Sequence, residues 1–391
     1  MDKYMKLTNE NLLHTYQRFP ITLDHGKGVY LYDADGKKYL DFMAGIAVSG
    51  LGYGNEELNN ALKNQMDCLL HSSNLYYNTT CGKAAGLLRS ASGMDRIFFT
   101  NSGAEANEGA LKAARKYAWQ KKSGRFELIA MKGSFHGRTM GALSVTEHAA
   151  YRAPFEPLIS GVSFAEFNNL ESVKELVNDR TCGIIVEPIQ GEGGIHVATQ
   201  EFMRGIRKLC DEQGILMICD EIQCGMARTG EMFAWQMYGT KPDIMTMAKA
   251  IGSGIPVGAF AMTEKVAEAS LTVGDHGTTY GGNPLACAAV AKTLEIYEQR
   301  KMPSHVREIG DYLGEQLEKL VKEYDCVLEQ RGVGLIRGIK LKGEVGEIVK
   351  RAMEEGLLII SARDNVIRLV PPLVIEKDHV DEMIDKLRKV L

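Results

Sequence analysis

The chain lacks most of the features that would place it at once. Its eight cysteines (68, 81, 182, 210, 219, 224, 287 and 326) form no Cys-x-x-Cys pair. That argues against a disulfide framework or a cysteine-based zinc site, and leaves small buried apolar residues of a reducing compartment. Basic residues are scattered along a chain of net charge −4, which argues against an electrostatic footprint for nucleic acid. No uninterrupted apolar run approaches the ~18 residues of a membrane-spanning helix. The opening MDKYMKLTNENLLHTYQ has no apolar stretch of the secretion-signal kind. These absences predict a cytoplasmic protein without nucleic-acid or membrane partners. Asn78-Thr79-Thr80 matches the glycosylation pattern but carries no weight without a secretion signal.

Common catalytic signatures are missing too. None of the three Gly-Lys pairs is followed by Ser or Thr, which argues against a P-loop. Gly252-Ser253-Gly254 fails the GxGxxG pattern at its third glycine, and neither GxSxG nor HExxH occurs. The nine histidines show no metal-ligand spacing, so no metal is expected. Internal repeats and low-complexity tracts are absent.

What is present suits a large soluble core: 391 residues, 45% hydrophobic and 25% charged, enough for two or three domains. Residues 20–42 alternate apolar and polar and break at Gly26-Lys27-Gly28 and Asp35-Gly36, predicting two strands joined by an Asp-Gly hairpin turn. A helix follows over 56–70, with Leu58, Leu62, Met66 and Leu69 on one face. The strand RIFFT (96–100) runs into NSGAEANEGALKAARKYAW, where Ser102 and Glu105 have capping-box spacing. Gly103 in that turn would let a ligand approach the backbone, and the free N–H groups of the helix start suit a phosphate. Taken alone, the stretch fits an ordinary capped helix better.

Further strands are predicted at ELIAM (127–131), GIIVE (183–187) and ILMIC (215–219), with a helix over 199–214 stopped by Gly214. This spacing implies parallel strands with a right-handed crossover, and puts Glu187 and Asp220 at the edge where open α/β sheets bind ligands. Lys249 follows a second apolar run, DIMTMA. A lysine desolvated there loses its proton readily and becomes a nucleophile, although a lone lysine more often marks an exposed strand end. From residue 284 helical and short-stranded patterns alternate to the C-terminus, which reads as a smaller α+β domain.

The candidates for one ligand edge are therefore the helix start at Ser102–Ala104, Phe135, Asp220 and Lys249. Together they match the needs of pyridoxal 5′-phosphate: a lysine for its aldehyde, a carboxylate for its ring nitrogen, an aromatic for its face and a helix end for its phosphate. Arg138, in the turn GSFHGRT, offers a bidentate grip on a carboxylate and points to an amino-acid-like substrate.

Six stretches carry a resemblance to a known family: NSGAEANEGALKAAR (101–115), SFHGRTMGALS (134–144), VEPIQGEGG (186–194), DEIQCGMARTG (220–230), PDIMTMAKAIGSGIPVGA (242–259) and HGTTYGGNPLACAA (276–289). They resemble the class III aminotransferases, and within that class the acetylornithine aminotransferases. The likeness runs in order from HTYQRFP near residue 14 to RLVPPL at 368–373. It implies an α/β fold type I transferase, with a large domain around a mostly parallel sheet and a smaller α+β domain. The expected division is 1–47 packing with the small domain, 48–283 as the large domain and 284–391 as the small one.

The resemblance also assigns roles. Lys249 would be the Schiff-base lysine and proton carrier; Asp220 would pair with the ring nitrogen, and Gln223 would contact the ring hydroxyl. Gly103 and Ala104 would take the phosphate through backbone N–H groups, and Phe135 would stack on the ring. Thr279, reaching across a homodimer with shared active sites, would complete the phosphate site. Arg138, with Thr278 of the other subunit nearby, would hold the substrate α-carboxylate. Arg368 would take the α-carboxylate of glutamate or 2-oxoglutarate, masked by Glu192 while the ω-amino substrate is bound. Glu187 is left outside the catalytic set.

Departures exist: LGYGN at 51–55 where the family reads LGH-HP, Cys224 for Thr, Ala227 for Gly and Thr278 for Ser. The first leaves the local entrance geometry open. Ornithine aminotransferases carry Tyr at the position of Ile46, and an Ile there favours a donor whose α-amino group is blocked. The implied reaction is transfer of the δ-amino group of N2-acetylornithine to 2-oxoglutarate in arginine biosynthesis. Succinylornithine, ornithine, 4-aminobutyrate and N-acyl-diaminopimelate are the alternative donors.

Overall fold

The computed structural model describes residues 3–391; Met1 and Asp2 of the expected N-terminal segment lie outside the described residues. A seven-stranded sheet organises the chain, in the order Arg96–Thr100, Gly258–Met262, Ile244–Met247, Leu216–Asp220, Thr181–Val186, Glu127–Met131 and Val162–Ala165. From Ile244–Met247 to Val162–Ala165 every neighbouring pair is parallel, and only Gly258–Met262 runs against its neighbours. The expected mostly parallel α/β sheet is therefore present.

Its inner strands are apolar on both faces because helices cover both. Side chains alternate across a strand, so Leu216 and Ile218 join one cluster with Ala110, Ala113, Ala114 and Tyr117 of helix Gly103–Gln120. Met217 and Cys219 join the opposite cluster with Phe202, Ile206 and Cys210 of helix Gln200–Gln213. That second helix begins where Thr199 accepts the N–H of Phe202 and ends at Gly214, whose φ of +64° suits glycine.

Strand direction decides what meets at the ligand edge. Thr100, Met131, Val186, Asp220 and Met247 all end there, while the antiparallel strand starting at Gly258 begins there.

Residues 20–42 form three strands, not two: Leu23–Lys27, Tyr30–Asp33 and Lys38–Asp41. The additional turn is made at Gly28, with φ of +61°. The Asp35-Gly36 turn joins the second and third, with Asp33 Oδ1 accepting the N–H groups of Asp35 and Lys37 at 3.1 and 2.8 Å. Lys38–Asp41 pairs in parallel with Leu357–Leu358 near the other end of the chain. A second four-stranded sheet, in the order Val327–Val333, Ile336–Leu341, Val366–Leu369 and Ile360–Ala362, lies in the C-terminal part. The helical pattern from 284 divides into Pro284–Gln299 and Met302–Glu323, because Lys301 adopts a left-handed φ of +48°.

The helix over 56–70 is found at Glu56–Cys68, but its predicted apolar face is only half covered. Leu58 is buried and Leu62 packs against the core, whereas Met66 and Leu69 are 51% and 43% exposed. Periodicity marks a face; it does not say how far a neighbour extends along it. Among the described residues no helix is long and apolar enough to cross a membrane.

Candidate active site

A cavity of about 440 Å³ opens at this sheet edge, lined by Ser102, Gly103, Ala104, Phe135, Arg138, Asp220, Gln223 and Lys249, among others. Eight of the twelve residues singled out in the sequence therefore converge on one space.

Beyond Thr100 the chain turns through Asn101 and Ser102 into helix Gly103–Gln120. Ser102 Oγ accepts the N–H of Glu105 at 3.2 Å. The predicted capping box is completed differently: Glu105 Oε2 accepts from the backbone and side-chain nitrogens of Asn101, at 3.0 and 2.9 Å, one residue short of Ser102. The N–H groups of Gly103 and Ala104, in the first turn, find no carbonyl within the helix. A Cβ on Gly103 would stand 2.8 Å from Ile222 Cδ1, so a glycine is what brings the helix start against the Asp220–Gln223 turn.

Lys249 follows strand Ile244–Met247 with a left-handed φ of +50°, a strained backbone for a residue with a side chain. Burial lowers its pKa from 10.5 to about 8, helped by the positive charge of Arg368 and opposed by Glu192, Asp220 and Glu187. Asp220, 3% exposed, is held on both oxygens. Oδ1 accepts the N–H of Ile222 at 3.0 Å, and Oδ2 accepts from Asn107 Nδ2 at 2.8 Å and His136 Nδ1 at 2.7 Å. Two of these holders were missed as site residues. Asn107 and His136 lie inside the motifs NSGAEANEG and SFHGRT, so the signal was present; what it lacked was a partner, since Asp220 is 113 and 84 residues away.

The turn after Glu127–Met131 supplies Phe135, whose backbone N–H donates to Glu187 Oε2 at 3.1 Å. Burial and then the charge of Asp220 push the Glu187 carboxyl well above its usual range. Glu187 lines the cavity as well. Arg138 is exposed, with its guanidinium 3.6 Å from the centre of the Tyr151 ring. It stacks on an aromatic and leaves its donors free for a carboxylate.

Arg368 and Glu192 stand just behind the lining. Arg368, 3% exposed, donates from Nη1 to Glu192 Oε1 at 2.6 Å and to Gln223 Oε1 at 3.0 Å. Burial alone would raise the Glu192 carboxyl, but the charge and hydrogen bond of Arg368 outweigh it and hold the pKa below its ordinary value. Thr278 and Thr279 do not line this cavity. Thr278 Oγ1 accepts from Asn101 Nδ2 at 3.0 Å, and Thr279 is exposed.

A desolvated lysine, an anchored aspartate and an open helix start share one cavity, an arrangement that suits pyridoxal 5′-phosphate, and the comparisons narrow the class. The chain belongs to the class III aminotransferases: the family model "Aminotransferase class-III" matches residues 13–391. Over 391 residues it is 46% identical to the acetylornithine aminotransferase of Methanocaldococcus jannaschii, covering 100% of this chain and 98% of that relative. Among solved structures, the ornithine aminotransferase of Toxoplasma gondii superposes with a TM-score of 0.95 at 29% identity, covering 99% of this chain and 94% of that one. The acetylornithine aminotransferase of Elizabethkingia anophelis has a TM-score of 0.88 at 29% identity, covering 99% and 97%.

The fold is fold type I, and the protein is an aminotransferase that uses pyridoxal 5′-phosphate. The residues fit that cofactor. The cavity has the volume of a small-ligand site. A glycine cradle sits against Ile222, and the lysine amine that must react is already shifted toward its neutral form.

Proposed function

We propose that this enzyme transfers the δ-amino group of N2-acetyl-L-ornithine to 2-oxoglutarate, giving N-acetyl-L-glutamate 5-semialdehyde and L-glutamate, as a step of arginine biosynthesis. The observation that carries this reading is the unequal state of two arginines. Arg138 stands open at the cavity, whereas Arg368 is covered by Glu192 at 2.6 Å. One uncovered guanidinium selects one carboxylate, so a donor held by Arg138 presents its distal amine to Lys249. Acetylornithine has that shape, and similarity to acetylornithine aminotransferases at 41–46% identity supports it. The resemblance points the same way at Ile46, which does not line the cavity itself but stands where ornithine aminotransferases carry Tyr, and whose alkyl side chain offers a free α-ammonium group no hydrogen bond.

In the same reading, Gly103 and Ala104, behind the Ser102 cap, take the cofactor phosphate on their N–H groups. Phe135 covers the ring face, Gln223 meets the ring hydroxyl and Asp220 pairs with the ring nitrogen. When bound, pyridoxal 5′-phosphate supplies a ring that withdraws the electron pair released at the substrate carbon. Lys249 holds the cofactor and carries the proton from one substrate position to the other. Asn107, His136 and Ile222 keep Asp220 oriented. The apolar wall of Val48, Ile189, Ile255 and Val257 keeps bulk water from the reacting atoms. When Glu192 releases Arg368, the second guanidinium receives the α-carboxylate of glutamate or 2-oxoglutarate.

Thr278 and Thr279 belong to the neighbouring site of a homodimer with shared active sites; the exposure of Thr279 supports this. Residues 1–47 and 284–391 make up the small domain, as the pairing of Lys38–Asp41 with Leu357–Leu358 supports, and 48–283 the large one. The enzyme works in the cytoplasm.

The test is a panel of donors against 2-oxoglutarate, each giving kcat/KM. N2-acetylornithine is expected to lead; free ornithine or 4-aminobutyrate turning over far faster would overturn the donor assignment. Without 2-oxoglutarate the reaction is expected to stop after one half-turnover.

A further inference from the structure

A second cleft, of about 780 Å³, lies apart from the active site and shares no lining residue with it. One wall is the second half of helix Gly103–Gln120. Lys112, Arg115, Lys116, Trp119 and Gln120 recur at spacings of three and four residues and so share one face. Lys122, Arg125 and Phe126 of the following loop continue the wall, and Leu271 and Asp275 close the other side.

The charge of this cleft is one-sided: five cations face one carboxylate in a protein of net charge −4. That carboxylate is already engaged. Asp275 accepts from the N–H and hydroxyl of Thr272 at 2.7 and 2.8 Å and from Lys116 Nζ at 3.2 Å. The guanidiniums are held by neutral oxygens: Arg115 by the carbonyls of Phe126 and Ser160, Arg125 by that of Gln213. Carbonyl contacts fix the side chains, and among the described residues neither guanidinium has a carboxylate paired with it. Glu127, beside Phe126, is paired outward with Arg180 at 2.8 Å. His276, beside Lys112, has its pKa lowered by burial and by that lysine, so it brings no negative charge. Favourable interaction with the helix dipole accounts for cations in the last turn, but not for Lys112 two turns earlier.

The cleft also displays aromatic surface. Trp119 is 67% exposed and Phe126 41% exposed. Lys116 Nζ lies over the Trp119 ring, 4.7 Å from its centre, a cation–π contact that brings positive charge onto the exposed aromatic surface.

We propose that this cleft binds a polyphosphate anion carrying a flat aromatic ring, of the nucleoside triphosphate class. Its phosphates would meet Arg115, Lys116, Lys122 and Arg125, and its ring would lie on Trp119 or Phe126. The volume suits a small molecule better than a strand of nucleic acid, and basic residues elsewhere are scattered.

Calorimetric titration of the holoenzyme with four probes tests this: ATP, inorganic triphosphate, adenosine and a ten-residue polyadenylate. ATP should bind saturably and quench Trp119 emission, triphosphate should bind about tenfold more weakly, and adenosine should not bind measurably. Trp119→Ala should weaken ATP to the affinity of triphosphate and leave triphosphate unchanged. Lys116→Gln combined with Lys122→Gln should weaken both by about tenfold or more. Since Trp119 and Lys122 are exposed, thermal melting should confirm that these variants stay folded. No heat with ATP, or equal affinity for ATP and triphosphate, overturns the proposal. So does adenosine binding as tightly as ATP. Tighter binding of the polyadenylate would replace it with a nucleic-acid surface.

Discussion

At the residue scale, chemistry here depends on removing solvent from charged groups and then choosing their neighbours. A pKa of about 8 leaves Lys249 roughly a tenth unprotonated at pH 7, against a vanishing fraction for a solvated lysine. Arg368→Gln removes a positive neighbour while Glu192 remains, which favours the ammonium, so the Lys249 pKa should rise. The pH midpoint for uptake of pyridoxal 5′-phosphate by apoenzyme, followed by absorbance, should then move upward; an unmoved midpoint would show that Arg368 does not act on Lys249. Lys249→Ala should abolish multiple turnover with little change in fold. Because its folded pKa lies below the unfolded 10.5, the folded apoprotein binds fewer protons between about 8 and 10.5. This group's contribution to stability therefore rises with pH across that window and is least favourable below it. Glu192→Ala uncovers Arg368. We expect kcat/KM for acetylornithine to fall by about tenfold, the scale of one charge-assisted contact, while that for glutamate holds or rises.

At the element scale, the departure LGYGN at 51–55 acts on structure. Asn55 caps helix Glu56–Cys68, its Oδ1 accepting the N–H of Leu58 at 3.0 Å. Tyr53 pairs by backbone with Gly28, and its hydroxyl donates to buried Asp41 at 2.5 Å. Asn55→Ala should lower stability by about 1 kcal/mol in chemical denaturation and leave kcat/KM unchanged. A changed kcat/KM with unchanged stability would place Asn55 at the active-site entrance after all. Elements of this kind were largely legible in the sequence. Helix Gln200–Gln213 carries its own start, stop and apolar face, and Ser102 was readable as a cap. The second half of the capping box was not, because whether Glu105 reaches Ser102 or Asn101 depends on how the chain enters the turn.

At the scale of the whole molecule, several large apolar side chains stand exposed together, as the proposed homodimer requires. Leu75, Tyr76, Tyr77 and Tyr280 are 87%, 72%, 107% and 62% exposed, on the segments that flank Thr278 and Thr279. The His71 ring lies tilted 5.3 Å from the Tyr280 ring, and Asn74 donates to the carbonyls of Thr278 and Gly281, so these segments form one surface. The holoenzyme should sediment at twice the chain mass. Tyr77→Glu with Tyr280→Glu should shift it toward monomer with parallel loss of activity. Full activity in a monomeric variant would remove both threonines from the site.

What the sequence determined by itself is local and periodic. The strand and helix patterns, the turn glycines and the separate short motifs that hold Ser102, Phe135, Arg138, Asp220 and Lys249 are each written within a few consecutive positions, where local backbone geometry sets the rule. Only tertiary structure decided what required distant parts to meet. Glu192 and Arg368 touch across 176 residues of chain, Asn107 and His136 close on Asp220, and burial beside a second cation turns Lys249 from an ordinary surface charge into a reactive amine. Desolvation and charge pairing depend on distance in space, and the sheet, not the order of residues, sets that distance.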